Sequence, residues 1–177
     1  MAFNYVGSRN GASRNLSKPI LINGTDTVTV GDAVECYTNG KATNGAAATP
    51  IKGIIHAITD VNGLPQVKGS NTAGSANSPD TNSITADGDD YVIVDTSVDS
   101  LYSAEVSGTL GTTNSSTLLG AKIDVDSANS DYGRLLETTA TRTVGTPANF
   151  YSHGLDPNDS TRLIVSIALS EEDSVYE

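Results

Sequence analysis

The side chains that could carry chemistry are few and scattered. His56 and His153 lie far apart in the chain, each alone among apolar or turn-forming neighbours. A metal centre or a base-catalysed site needs such groups clustered or paired with a nucleophile, so a structural or surface role is expected for both. Cys36 is the single cysteine, which excludes an intrachain disulfide and a cysteine-rich metal site. Its neighbours suggest a small buried hydrophobe. Asp124, Asp126, Asn129 and Asp131 loosely follow a calcium-loop spacing, but Ala128, Asn129 and Leu135 stand where such a loop needs an oxygen ligand, a glycine and a glutamate. Asp87-Gly88-Asp89-Asp90 reads as a turn before Tyr91. No nucleophile elbow is present, and Gly40-Lys41 lacks the earlier glycine and the following hydroxyl of a phosphate loop. Paired carboxylates acting on a glycoside need no motif, yet sugar sites favour aromatic platforms, and the chain has no Trp and seven dispersed Tyr. The expectation is therefore a protein that is not an enzyme, with no catalytic, cofactor-binding or metal site.

Charge says more than motif. The chain of 177 residues carries 21 acidic and 10 basic side chains, a net charge of −11, so nucleic acid is a poor partner for its body. Residues 1–18 contain Arg9, Arg14 and Lys18 and no acid. A small basic arm thus precedes an acidic body. Residues 1–26 show little periodicity apart from Ile20-Leu21-Ile22, and are expected to form an extended arm that orders against a partner. The start lacks the apolar core of a signal peptide and no apolar run is long enough to span a bilayer, so no membrane association is expected.

The elements that follow are strands. Val28 and Val30 share one face, and after Gly31-Asp32-Ala33 the apolar positions resume at Val34 and Cys36. A two-residue hairpin would put Val34 on the wrong face, so a three-residue turn or a corner between two sheets is expected. Residues 38–50 form a turn-rich connector, and Ile51–Ile58 is apolar on both faces, a central strand in which Gly53 marks a bulge or a close approach. Residues 59–88 are polar and read as a long exposed loop or insertion, with one short strand candidate at 65–68. Strands resume at Tyr91–Val94 and Tyr102–Val106. Leu119, Ala121, Ile123 and Val125 then alternate with polar residues, which makes Asp124 and Asp126 the expected wet face of a strand. A Thr-rich strand over 137–144 and a clear alternation at Leu163, Val165, Ile167 and Leu169 complete the set. The pattern is all-β: a single-domain barrel or sandwich over residues 27–177, with its arm before it and the 59–88 loop inserted. Its core is aliphatic and thin, so part of its stability is expected to come from association with other chains.

The order Val28–Val34, Pro50–Ile55, Asp90–Asp95, Leu101–Val106 and Arg162–Ile167 resembles the head decoration, or cement, proteins of tailed bacteriophages. The polar stretch 59–88 and the acidic segment Glu171–Glu177 depart from that pattern. The resemblance implies a structural virion protein, made in the bacterial cytoplasm, that binds the outer capsid surface and bridges major capsid subunits. It also makes a homotrimer plausible. On that reading Arg9, Arg14 and Lys18 meet acidic residues of the capsid. The alternative is a carbohydrate-binding or other receptor-binding appendage of the head or tail.

Overall fold

The computed structural model describes residues 3–36, 39–47, 49–64, 83–107, 118–127, 131–141 and 148–168, with the backbone alone for 36, 131 and 137–141. The short strand expected at 65–68, the acidic segment 171–177, Asn129 and the side chain of Cys36 lie outside the described residues. The chain is all-β. Strands β1 (Asn4–Ser8), β2 (Ile20–Leu21), β3 (Thr27–Thr29), β4 (Ala33–Cys36), β5 (Ala42–Asn44) and β6 (Gly53–Thr59) come first. They are followed by β7 (Ser83–Thr85), β8 (Tyr91–Asp95), β9 (Ser100–Ser107), β10 (Lys122–Asp126), β11 (Asp131–Thr141), β12 (Phe150–Asp156) and β13 (Asp159–Ile167). Among the described residues no helix is long and apolar enough to cross a membrane.

Two five-membered rings of strands make the body. The first runs β9-β11-β10-β12-β13 and closes when β13 returns to β9, with Leu163 opposite Ala104. The second runs β2-β8-β6-β4-β5, and its ends meet where Ile22 bridges Ala42 and the Asn23 amide donates to the Ala42 carbonyl at 2.8 Å. Strand direction cannot alternate all the way round an odd ring, so one neighbouring pair must be parallel. In the first ring that pair is β9 with β11, and in the second it is the Ile22–Ala42 bridge. Each ring is narrow enough for side chains to fill. Tyr102, Ile123, Val125, Leu135, Phe150, Leu163 and Val165 fill the first; Ile22, Val34, Ile55, Ile58, Val92 and Val94 fill the second. The ribbon of β3 and β7 adds Val28 and Ile84 to the second core and turns Thr27, Thr29, Ser83 and Thr85 away from it.

Strand β6 joins the rings. Ile54 packs into the first core while Ile55 and Ile58 pack into the second, so both faces are buried as its composition requires. Gly53 is a point of close approach: a Cβ there would stand 2.0 Å from the Asp95 carbonyl oxygen. The bulge falls slightly later, between Ile55 and Ala57, and turns His56 outward. The segment Gly31–Asp32 is a corner, because β3 pairs in the ribbon and β4 in the second ring.

One expectation is overturned. Asp124 and Asp126 are buried, Asp126 completely. Strand β10 is flanked by β11 and β12, and the loop after β5 is tied to its end, where the Ala47 amide donates to Ser127 Oγ at 3.1 Å. Asn149 fastens that loop, donating to the carbonyls of Ala46 (3.0 Å) and Thr49 (2.6 Å). Its own amide donates to Asp124 Oδ1 at 3.0 Å, and its Oδ1 accepts the Val125 amide at 2.8 Å. Asp126 accepts from Arg134 Nη2 at 2.8 Å. Alternation identifies two faces but not a second layer on the polar one.

Candidate functional site: the arm and the polar cluster at Asp95

The arm is extended, and its described part lies along the body. It runs antiparallel to the β8–β9 segment on both sides of residues 10–14. Asn4 to Ser8 pair with Ser103 to Ser100, and the Arg9 amide donates to the Asp99 carbonyl. Farther on, Thr96 donates its amide to Asn15, Leu16 bridges Asp95, Ser17 donates to the Val94 carbonyl, and Ile20 and Leu21 pair with Val92 and Tyr91. Because β8 belongs to one ring and β9 to the other, the arm ties both together. Its first described residue is an anchor: the Phe3 ring is buried, stacked on Phe150 at 4.7 Å and edge-on to Tyr102 at 6.5 Å. Burying a Phe in this way is worth several kcal/mol.

The three basic residues of the arm have different surroundings. Arg9 Nη2 donates to Asp99 Oδ1 and to the Val98 carbonyl, both at 3.1 Å, in a pair that water reaches from both sides. Arg14 Nε donates to Asp95 Oδ2 at 2.8 Å, with the carboxylate side chain 0% exposed and the arginine 25%. Lys18 is exposed.

Arg14 and Asp95 sit at the centre of a polar cluster where the two rings meet, with Asp95 on β8 and Ser100 and Tyr102 on β9. Asp95 Oδ2 also accepts from Ser100 Oγ at 3.0 Å, and Oδ1 accepts the Ser97 amide at 3.1 Å. Burial alone would raise its pKa, but Arg14, the Tyr102 hydroxyl, the Ser97 amide and Ser100 together outweigh that and hold the carboxyl below the ordinary range. The Tyr102 hydroxyl is pushed well above its usual value by burial first and by the adjacent Asp95 carboxylate next. The Tyr102 oxygen is fully buried beside Asp95, and its approach to the carboxylate is not a hydrogen bond of good geometry among the described residues. Tyr5 packs edge-on to Tyr102 at 6.2 Å and carries the Arg14 guanidinium over its ring at 4.4 Å. His56 stands on the exposed rim; partial burial lowers its pKa, and the Arg14 charge lowers it further against an opposing pull from Asp95.

The other residues considered for chemistry fall elsewhere. His153 Nε2 lies 2.8 Å from Ser166 Oγ, which resembles half of a hydrolytic pair, but Ser166 is completely buried, so no substrate carbonyl can reach it. The carboxylates of Asp87, Asp89 and Asp90 gather within 4.8 Å, where Asp90 Oδ2 accepts the Asp87 amide at 3.1 Å and closes the turn into β8. Of the arm residues singled out by charge, Arg14 is the one brought into a built site. Its companions Tyr5, His56, Asp95 and Tyr102 carry no local motif. Their one signal is that an arginine in an acid-free arm must find its carboxylate in the body, and Asp95 ends an apolar run followed by Ser97 and Ser100. Comparison with protein-family models, with curated proteins and with solved structures finds no significant match.

Proposed function

We propose that this chain is a non-enzymatic structural protein of a bacteriophage virion, which binds the outer face of the capsid and stabilises it by bridging major capsid subunits. The capsid comes from the sequence resemblance; the binding surface comes from the arm. Of six exposed large hydrophobic side chains among the described residues, three lie on the arm: Tyr5 at 38%, Val6 at 51% and Leu16 at 44%. They share it with Arg9 and Lys18 and with no acid before Asp26. Apolar side chains among cations, on a body of net charge −11, suit an acidic protein partner with apolar contacts of its own. That strip is the observation that carries the proposal. Strand β1 is also an end strand of its sheet, which gives the strip an open backbone edge among the described strands.

Deleting residues 1–18 cannot separate binding from folding, because the deletion also removes Phe3, β1 and the Arg14–Asp95 pair. Charge reversal at the rim can. Purified capsids of the phage that encodes the chain are sedimented with the wild type and with the Arg9→Glu, Lys18→Glu double variant. Saturable occupancy by the wild type and a clear loss with the variant are expected. Equal occupancy by the two would remove the arm from the interface, and no co-sedimentation of the wild type would refute the capsid reading.

A further inference from the structure

We propose that Arg14, with His56 near it, forms a binding site for an oxyanion, a carboxylate or a phosphate, where the arm passes from one ring to the other. A guanidinium offers five N–H donors in a fixed plane, and its paired terminal nitrogens match two oxygens of a carboxylate or phosphate. In Arg14 the internal nitrogen alone is used, by Asp95 Oδ2 at 2.8 Å; Nη1 and Nη2 take no partner among the described residues. The plane is fixed twice, by that hydrogen bond at its edge and by the Tyr5 ring 4.4 Å below its centre. The side chain is 25% exposed, so water reaches part of it.

His56 supplies a further donor. The bulge in β6 turns it out of the strand on the rim next to Asp95, and its ring nitrogens have no hydrogen-bond partner among the described residues. Strand pairing brings it there, because Ile54, two residues before His56, pairs with Asp95. The arrangement is that of an oriented arginine: a buried carboxylate takes the inner edge, an aromatic face holds the plane, and the outer donors wait for an anion. Asp95 already balances the Arg14 charge, so binding depends on the geometry of the fork and is weak for a free ion. A carboxylate carried by a partner surface would gain from the contacts around it.

The site needs no capsid, so its test and that of the capsid reading fail separately. Nuclear magnetic resonance of the full chain follows the Arg14 Nε–H and His56 ring signals while inorganic phosphate, and in a second series acetate, is added at constant ionic strength. Saturable shifts confined to these signals are expected with at least one anion, and which anion saturates names the source. The His56 titration should move to higher pH when the anion is bound. Arg14→Lys keeps the charge and loses the fork, and should bind roughly tenfold more weakly. His56→Gln leaves every arm contact in place and should also weaken binding. Linear, unsaturating shifts with both anions, or wild-type affinity in His56→Gln, overturn the proposal even if Arg14→Lys loosens the arm.

Discussion

Replacing Arg14 by alanine separates a buried charge pair from a surface one. In the variant, the fully buried Asp95 carboxylate keeps the Ser97 amide and the Ser100 hydroxyl but loses its counter-charge. Removing one partner of a buried pair costs about 3–5 kcal/mol, because the remaining charge is left uncompensated. Water reaches a quarter of the Arg14 side chain, so the lower end, about 3 kcal/mol, is expected. For a domain of this size that corresponds to a fall in Tm of about 6–12 °C. Urea unfolding followed by circular dichroism at neutral pH gives the number directly. The double variant Arg14→Ala, Asp95→Asn removes the orphaned charge as well and should recover part of the loss. The pH dependence has a fixed sign. The folded pKa of Asp95 lies below its ordinary value, so this stabilisation is complete above the unfolded aspartate pKa of about 3.9 and is lost as pH falls through the folded value. Asp95→Asn should lack that acid step. A cost below about 1 kcal/mol for Arg14→Ala, the value of an exposed ion pair, would refute the reasoning.

Three further substitutions probe the joints between arm and rings. Gly53→Ala places a Cβ 2.0 Å from the Asp95 carbonyl and 2.7 Å from Val94 Cγ1, and should cost at least the 1–3 kcal/mol or so of an overpacked core; a variant that melts with the wild type would show that β6 and β8 can part. Phe3→Ala should cost about 3–5 kcal/mol by equilibrium unfolding, and an unchanged midpoint would mean that the arm contributes no core. Asn149→Ala leaves the amide of Val125 and the carbonyls of Ala46 and Thr49 without that side chain. Its expected cost is about 2–3 kcal/mol, with faster hydrogen exchange at Val125, and wild-type exchange there would argue against it as the fastener of the loop.

Local patterning made the fold class legible. The doubly apolar run Ile51–Ile58 announced a strand with two buried faces, and register at Gly31–Ala33 announced a three-residue turn or a corner between sheets, of which the structure has the corner. Closure was not legible, because the parallel contacts that complete the rings, Val106 with Leu135 and Ile22 with Ala42, join residues that share no local pattern. Asp124 and Asp126 misled for a related reason: a strand's polar positions look the same whether water or a capped loop covers them. The arm's composition indicated extended chain and its lack of acids indicated a cation in need of a partner. Which of 21 acids Arg14 would meet depends on how the arm follows β8 into β9, a tertiary fact. His56 stands alone in sequence, and the charged neighbours it acquires, Arg14 and Asp95, come from distant segments.

Scanning calorimetry of purified capsids, with and without the saturating full chain, tests the functional proposal most directly. A protein that bridges neighbouring capsid subunits binds the assembled shell better than the melted one and must raise the melting temperature of the shell in proportion to its occupancy. A rise that saturates with bound copies, and that the Arg9→Glu, Lys18→Glu variant fails to produce, is predicted. A melting temperature unchanged at full occupancy would contradict a stabilising role.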